Sequence, residues 1–163
     1  MIKELKLFLG IFLFLAASRF IPHPPNFTSL IALSFYVPAL LGRKYLAAVL
    51  ISFIITDIFI GFHGTVLFTW GSVLIIGLIS NFFKGNLLSR FSGLFLGLLI
   101  FFILSNFGVW VRGFYGYDWD GLIKCYLLAI PFFGQSILST IIYSSIIEGL
   151  YKVFNPSFKK ISS

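Results

Sequence analysis

Apolar runs, broken by short polar or proline-rich segments, divide the chain into six stretches. The first, at about 5–20, ends in Ile21-Pro22-His23-Pro24-Pro25-Asn26, where each proline restricts the residue before it and a helix cannot continue. The second, at about 28–41, is short, carries Pro38 and closes at Gly42-Arg43-Lys44. The third, 45–60, stops at Gly61-Phe62-His63-Gly64, and the fourth, 65–83, at Lys84-Gly85-Asn86. The fifth covers 87–111 and is followed by a polar, aromatic segment from Arg112 to Asp120. The last, 121–154, is long enough to tilt or bend, with Pro131 as the natural bend point. No stretch reads as carrying the repeating polar face that would line a pore.

Composition turns these stretches into membrane spans. Of 163 residues, 59% are hydrophobic and 10% charged, with a mean hydropathy of +1.03, whereas a soluble domain has about a quarter charged residues. A span needs about 20 apolar residues, so six helices leave short loops and tails. The expectation is an all-α integral membrane protein: one domain, a six-transmembrane-helix bundle in a lipid bilayer. A single cysteine excludes a disulfide scaffold.

The net charge of +7 invites a nucleic-acid reading, but the 12 Lys and Arg residues form no basic stripe. They report topology instead. With a cytoplasmic N-terminus, the inner side holds Lys3, Lys6, Arg43, Lys44, Lys84, Arg90, Lys152, Lys159 and Lys160, and the outer side Arg19, Arg112 and Lys124. Nine against three has the sign of the positive-inside rule, so both termini are placed in the cytoplasm. A second reading of the N-terminus stays open: Lys3 and Lys6, a short apolar run and Ala16-Ala17-Ser18 also fit a cleaved signal peptide.

Polar residues in such a chain are informative by position. The outer side collects His23, Asn26, Asp57, His63, Asn106, Tyr115, Tyr117, Asp118 and Asp120, together with Trp70, Trp110 and Trp119. That mixture fits a small-molecule pocket; it also fits interfacial anchors and polar loops, although no Trp lies at the inner side. Asp57 is flanked by apolar residues near the end of the third span; Arg19 or Arg112 could pair with it, or it could make a structural hydrogen bond to a neighbouring loop backbone. Glu148 stands four residues before Lys152, and an ordinary i,i+4 pair explains it. His23, His63 and Asp57 lack metal-ligand spacing and Cys125 stands alone, so no metal or cofactor is expected. Gly93-Leu94-Phe95-Leu96-Gly97 matches G-x-x-x-G, for contact within the bundle or with a partner subunit. Nucleotide-binding and catalytic motifs are absent, so an enzyme is not expected. An intramembrane enzyme would need Asp57 and His63 within hydrogen-bond reach.

Four motifs carry a resemblance: Ser18-Arg19-Phe20-Ile21-Pro22-His23-Pro24-Pro25-Asn26-Phe27-Thr28, Thr56-Asp57-Ile58-Phe59-Ile60-Gly61-Phe62-His63, Ser105-Asn106-Phe107-Gly108-Val109-Trp110 and Ala129-Ile130-Pro131-Phe132-Phe133. In that order they resemble a family of uncharacterised small bacterial membrane proteins. In size, six-helix plan and the Asp-x-x-x-Gly ending of the third span, that family is similar to the substrate-binding S components of energy-coupling-factor (ECF) vitamin transporters. The resemblance implies an inner-membrane bundle that captures a vitamin-like micronutrient at its outer face, with the first outer loop as cap. It also implies an ATP-driven energising module as partner. The first helix departs from the S-component pattern here, since Gly10, Ala16 and Ala17 do not make an A-x-x-x-A face.

The leading expectation is therefore a non-enzymatic solute-binding membrane protein. Its ligand-binding candidates are His23, Asn26, Asp57, His63, Trp70, Asn106, Trp110, Arg112, Tyr117 and Trp119. The alternative is a structural or assembly subunit of a membrane complex with no transported ligand.

Overall fold

A computed structural model describes residues 2–154. Lys159 and Lys160, counted above as inner charges, lie outside the described residues, as does the side chain of Lys3. Six α-helices follow in order: α1 (Ile2–Phe20), α2 (Leu30–Tyr36), α3 (Leu46–Ile60), α4 (Val66–Ile79), α5 (Leu87–Val111) and α6 (Trp119–Phe154). No strand occurs among the described residues.

Local chemistry sets the boundaries. Asn86 caps α5 by accepting a hydrogen bond from the Ser89 amide at 2.9 Å. The Asp118 carboxylate accepts from the Gly121 amide at 2.7 Å, which lets α6 begin at Trp119, two residues before the position read from hydropathy. α3 ends at Gly61, whose φ of 106° is open to glycine but strained for other residues. Pro131 does not break α6, which runs on as one helix of 36 residues.

The second apolar stretch departs furthest from a simple span. Only seven residues form α2, and a π-helical turn (Val37–Leu41) beginning around Pro38 completes it. At 1.5 Å per residue these twelve residues reach about 18 Å, half the length of the 25-residue α5. Every residue from Ser29 to Ala39 is buried, and α2 packs against all five other helices. It is the axle of the bundle. Ile11, Leu15, Val49 and Phe53 pack with its Leu33 on one side, and Ile76, Leu94 and Leu98 with its Phe35 on the other.

Both glycines of the G-x-x-x-G motif serve contacts within the bundle. A Cβ at Gly93 would lie 2.5 Å from Phe83 and 2.6 Å from Phe35, and one at Gly97 3.2 Å from Ile76. Outward faces are apolar: Phe59, Leu67, Phe82 and Leu88 are each about three-quarters exposed. Three segments, Val66–Phe83, Leu87–Val111 and Trp119–Val153, are long and apolar enough to cross a membrane.

Candidate functional site

Because α2 is short, one end of the bundle is not filled by helix. There the α1–α2, α3–α4 and α5–α6 connections enclose a cavity of about 560 Å³, with Leu30 and Ile31 at the head of α2 in its wall. This is within the usual size of a small-molecule site, roughly 300–1,000 Å³. His23 and Asn26 reach it from the first connection, His63 from the second and Tyr115 from the third, while α5 supplies Asn106 and α1 supplies Arg19. Phe53, Phe101 and Phe132 add aromatic surface.

Polar groups around this cavity are held by specific partners. His23 places its two ring nitrogens near the carbonyl oxygens of Pro24 (2.7 Å) and Arg19 (3.3 Å). His63 Nδ1 meets the Thr65 hydroxyl at 2.8 Å. Asn106, in the cavity wall, donates from its amide nitrogen to the Phe102 carbonyl at 2.7 Å. The Cys125 thiol, buried beside the cavity, donates to the Asn106 carbonyl at 3.4 Å.

Behind the wall stands a charged cluster. Arg19 Nη2 donates to Asp57 Oδ1 at 2.6 Å, and Trp70 donates from its indole nitrogen to Asp57 Oδ2 at 2.7 Å. Arg19 Nη1 donates to the Phe53 carbonyl and the Thr56 hydroxyl, and the guanidinium lies 4.6 Å from the centre of the Phe53 ring. Of the two cations weighed as partners for Asp57, the structure pairs it with Arg19. A buried carboxylate is costly unless neutralised and hydrogen-bonded, and here both oxygens are taken.

The sequence-derived candidates thus separate by place. His23, Asn26, His63 and Asn106 line the cavity, whereas Asp57 and Trp70 stand behind it. Arg112 sits against the backbone of Gly64, where a Cβ would come within 2.6 Å of its guanidinium. Trp110 packs on Phe107, with centroids 5.5 Å apart. Tyr117 and Trp119 are more than 70% exposed at the same end, as interfacial anchors are. Asp57 and His63 share no hydrogen bond; each is engaged elsewhere. Arg19, Thr28, Thr69, Ser105, Tyr115 and Ser136 line the cavity and were not among the candidates. Arg19 was the most legible of these, having been weighed as a partner for Asp57 but not as cavity wall.

The opposite end corrects one expectation. Glu148 is not explained by Lys152: it accepts two hydrogen bonds from Arg90 (Nε to Oε1 at 2.6 Å, Nη2 to Oε2 at 2.9 Å) and one from Tyr36 at 2.9 Å. Arg90 and Glu148 are nearly fully buried, so distant partners brought together by packing outweigh a solvated neighbour. A second expectation also changes. α6 does carry a repeating polar face, with Ser136, Thr140, Ser144 and Glu148 spaced by four and all buried. Ser136 and Ser144 donate to carbonyls of their own helix, and the Thr140 hydroxyl has no hydrogen-bond partner among the described residues. Hydropathy hides this row because serine and threonine are only weakly polar on such a scale and bulky apolar residues surround them.

Basic residues are unevenly divided between the ends. Arg43, Lys44, Lys84, Arg90 and Lys152 lie at the Glu148 end, and Glu4 of α1 joins them through a 2.9 Å pair with Lys44. That bond holds the exposed Lys44 ammonium above its ordinary pKa. The cavity end has Arg19, Arg112 and Lys124.

Residues 2–161 match the model of a family of unknown function, DUF6580. The chain belongs to the DUF6580 family. This DUF6580 member has a six-helix plan with a short central helix. Neither a curated protein nor a solved structure matches this DUF6580 chain.

Proposed function

We propose that the protein is a six-span membrane protein with both termini in the cytoplasm. In this reading it binds a small organic solute at its outer face and serves its uptake, in the manner of an ECF S component in a bacterial inner membrane. The observation that carries the proposal is the cavity of about 560 Å³ at the base-poor end of the bundle, walled by His23, Asn26, His63, Asn106 and Tyr115 among aromatic rings. Basic side chains collect at the other end, which the positive-inside rule assigns to the cytoplasm. Three segments already have the length and apolarity of spans. The remaining helices, α1, α2 and α3, pack into the same bundle, so the bilayer that takes those three takes them too.

The micronutrient class is supported by the balance of the wall: flat rings for stacking and a few fixed polar groups for orientation. Mass spectrometry of gently solubilised protein tests it. A retained small organic compound, or binding of one member of a vitamin panel, is the expected result. Protein that retains nothing and binds nothing in the panel refutes the proposal.

A further inference from the structure

We infer that the cavity accepts a flat ligand, neutral or singly anionic, that presents a carbonyl or carboxylate oxygen to Arg19, and that it rejects cations. This rests on the solute-binding reading above. Among the described residues, the lining contains one guanidinium and two imidazoles but no carboxylate. The acid that neutralises Arg19 is out of a ligand's reach. Asp57 is 0% exposed, and its second oxygen is covered by the Trp70 indole.

Arg19 is positioned as a donor with capacity left over. A guanidinium carries five N–H groups, and its bonds to Phe53, Thr56 and Asp57 use three of them. Those bonds, with the Phe53 ring against one face, fix the group before any ligand arrives. A fixed guanidinium with free N–H groups suits a planar oxygen acceptor, to which it donates without reorganising. A cation entering the same space would give up its hydration and meet no carboxylate in exchange. The upper limit on negative charge follows from the same pair. Asp57 already balances Arg19, so a dianion would bring uncompensated charge into a site walled by Phe53, Phe101 and Phe132.

The test uses the full chain in detergent and three probes that share one ring system: quinoline-3-carboxylate, quinoline-3-carboxamide and (quinolin-3-yl)methylammonium. Calorimetry is expected to show the first two binding at least about tenfold more tightly than the ammonium, the worth of one charge-assisted hydrogen bond. Arg19→Lys keeps the charge but loses the planar fork, and is expected to weaken both oxygen-bearing probes by about tenfold. Should that variant fail to fold, the wild-type protein with ¹⁵N-labelled arginine serves instead: the Arg19 Nε–H resonance moves on adding the carboxylate and stays put with the ammonium. Equal or tighter binding of the ammonium overturns the inference, as does binding of none of the three. A cationic compound retained by the purified protein overturns it too, while leaving the solute-binding reading standing.

Discussion

Arg90 and Glu148, 58 positions apart, form a two-point ion pair with N–O distances of 2.6 and 2.9 Å in a site that solvent barely reaches. Tyr36 completes it from the buried central helix, so one cluster fastens α2, α5 and α6 together at the end away from the cavity. Removing one member of such a pair leaves a buried charge without its counterion. Arg90→Ala or Glu148→Ala is expected to cost about 3–5 kcal/mol in equilibrium unfolding. The double replacement Arg90→Met with Glu148→Leu is expected to recover most of the loss. Lys44→Ala breaks an exposed pair and is expected to leave stability unchanged.

Glycine contacts give a sharp contrast along the chain. A Cβ at Gly93 meets Phe83 and Phe35 at distances that force rearrangement, while one at Gly10 meets nothing within 4 Å. Gly93→Ala is expected to destabilise by about 1–3 kcal/mol. Gly10→Ala is expected to be neutral or slightly stabilising, by up to about 1 kcal/mol. Thermal unfolding of the two variants side by side measures the difference.

Trp70 covers Asp57 through one hydrogen bond of 2.7 Å. Trp70→Phe keeps an aromatic ring against Phe62 but strips a buried carboxylate oxygen of its donor, at an expected cost of about 1–3 kcal/mol. Asp57→Asn in the same background removes the charge that needed covering, so the two costs should not add. A double-mutant cycle reads this coupling.

Asn106 tests the cavity itself. Its amide nitrogen is spent on the Phe102 carbonyl of its own helix, so Asn106→Leu removes that one intrahelical bond together with the side-chain oxygen at the cavity. Under the proposed solute-binding function, affinity for the solute is expected to fall by about tenfold, with unfolding of the unliganded protein changed by no more than about 1 kcal/mol. Isothermal titration and a melting curve on the same preparation separate the two effects.

Topology can be read with cysteine labelling. In a Cys125→Ser background, Tyr117→Cys is expected to react with an impermeant maleimide added outside intact cells. Lys84→Cys is expected to react only after the membrane is permeabilised. Both positions are exposed at opposite ends of the bundle. The reverse pattern inverts the proposed orientation.

The helices could be read from apolar runs because the first four are ended by something chemically blunt, prolines at 22, 24 and 25 or glycines at 42, 61, 64 and 85, and the fifth by the polar segment from Arg112 to Asp120. Four of the cavity residues, His23, Asn26, His63 and Asn106, were legible for a related reason, since each lies in or beside one of the connections at a single end. Arg19 as cavity wall, and the Arg90–Glu148–Tyr36 cluster, were not legible. Their partners lie 34 or more positions away, and hydropathy records how apolar a segment is without recording which face it turns. The polar row of α6 was hidden for the same reason, its serines and threonine diluted by the isoleucines and leucines between them.

The amino-acid sequence by itself determined an all-α chain of six helices, their punctuation and the uneven division of basic residues, because solubility and backbone geometry act on neighbours along the chain. Packing alone decided that the short second helix is a buried axle, that a cavity opens beyond its head, and that Asp57 serves Arg19 from behind the wall. A charge buried at 57 must find its counterion wherever the bundle delivers one. The folded arrangement delivers Arg19, 38 residues away.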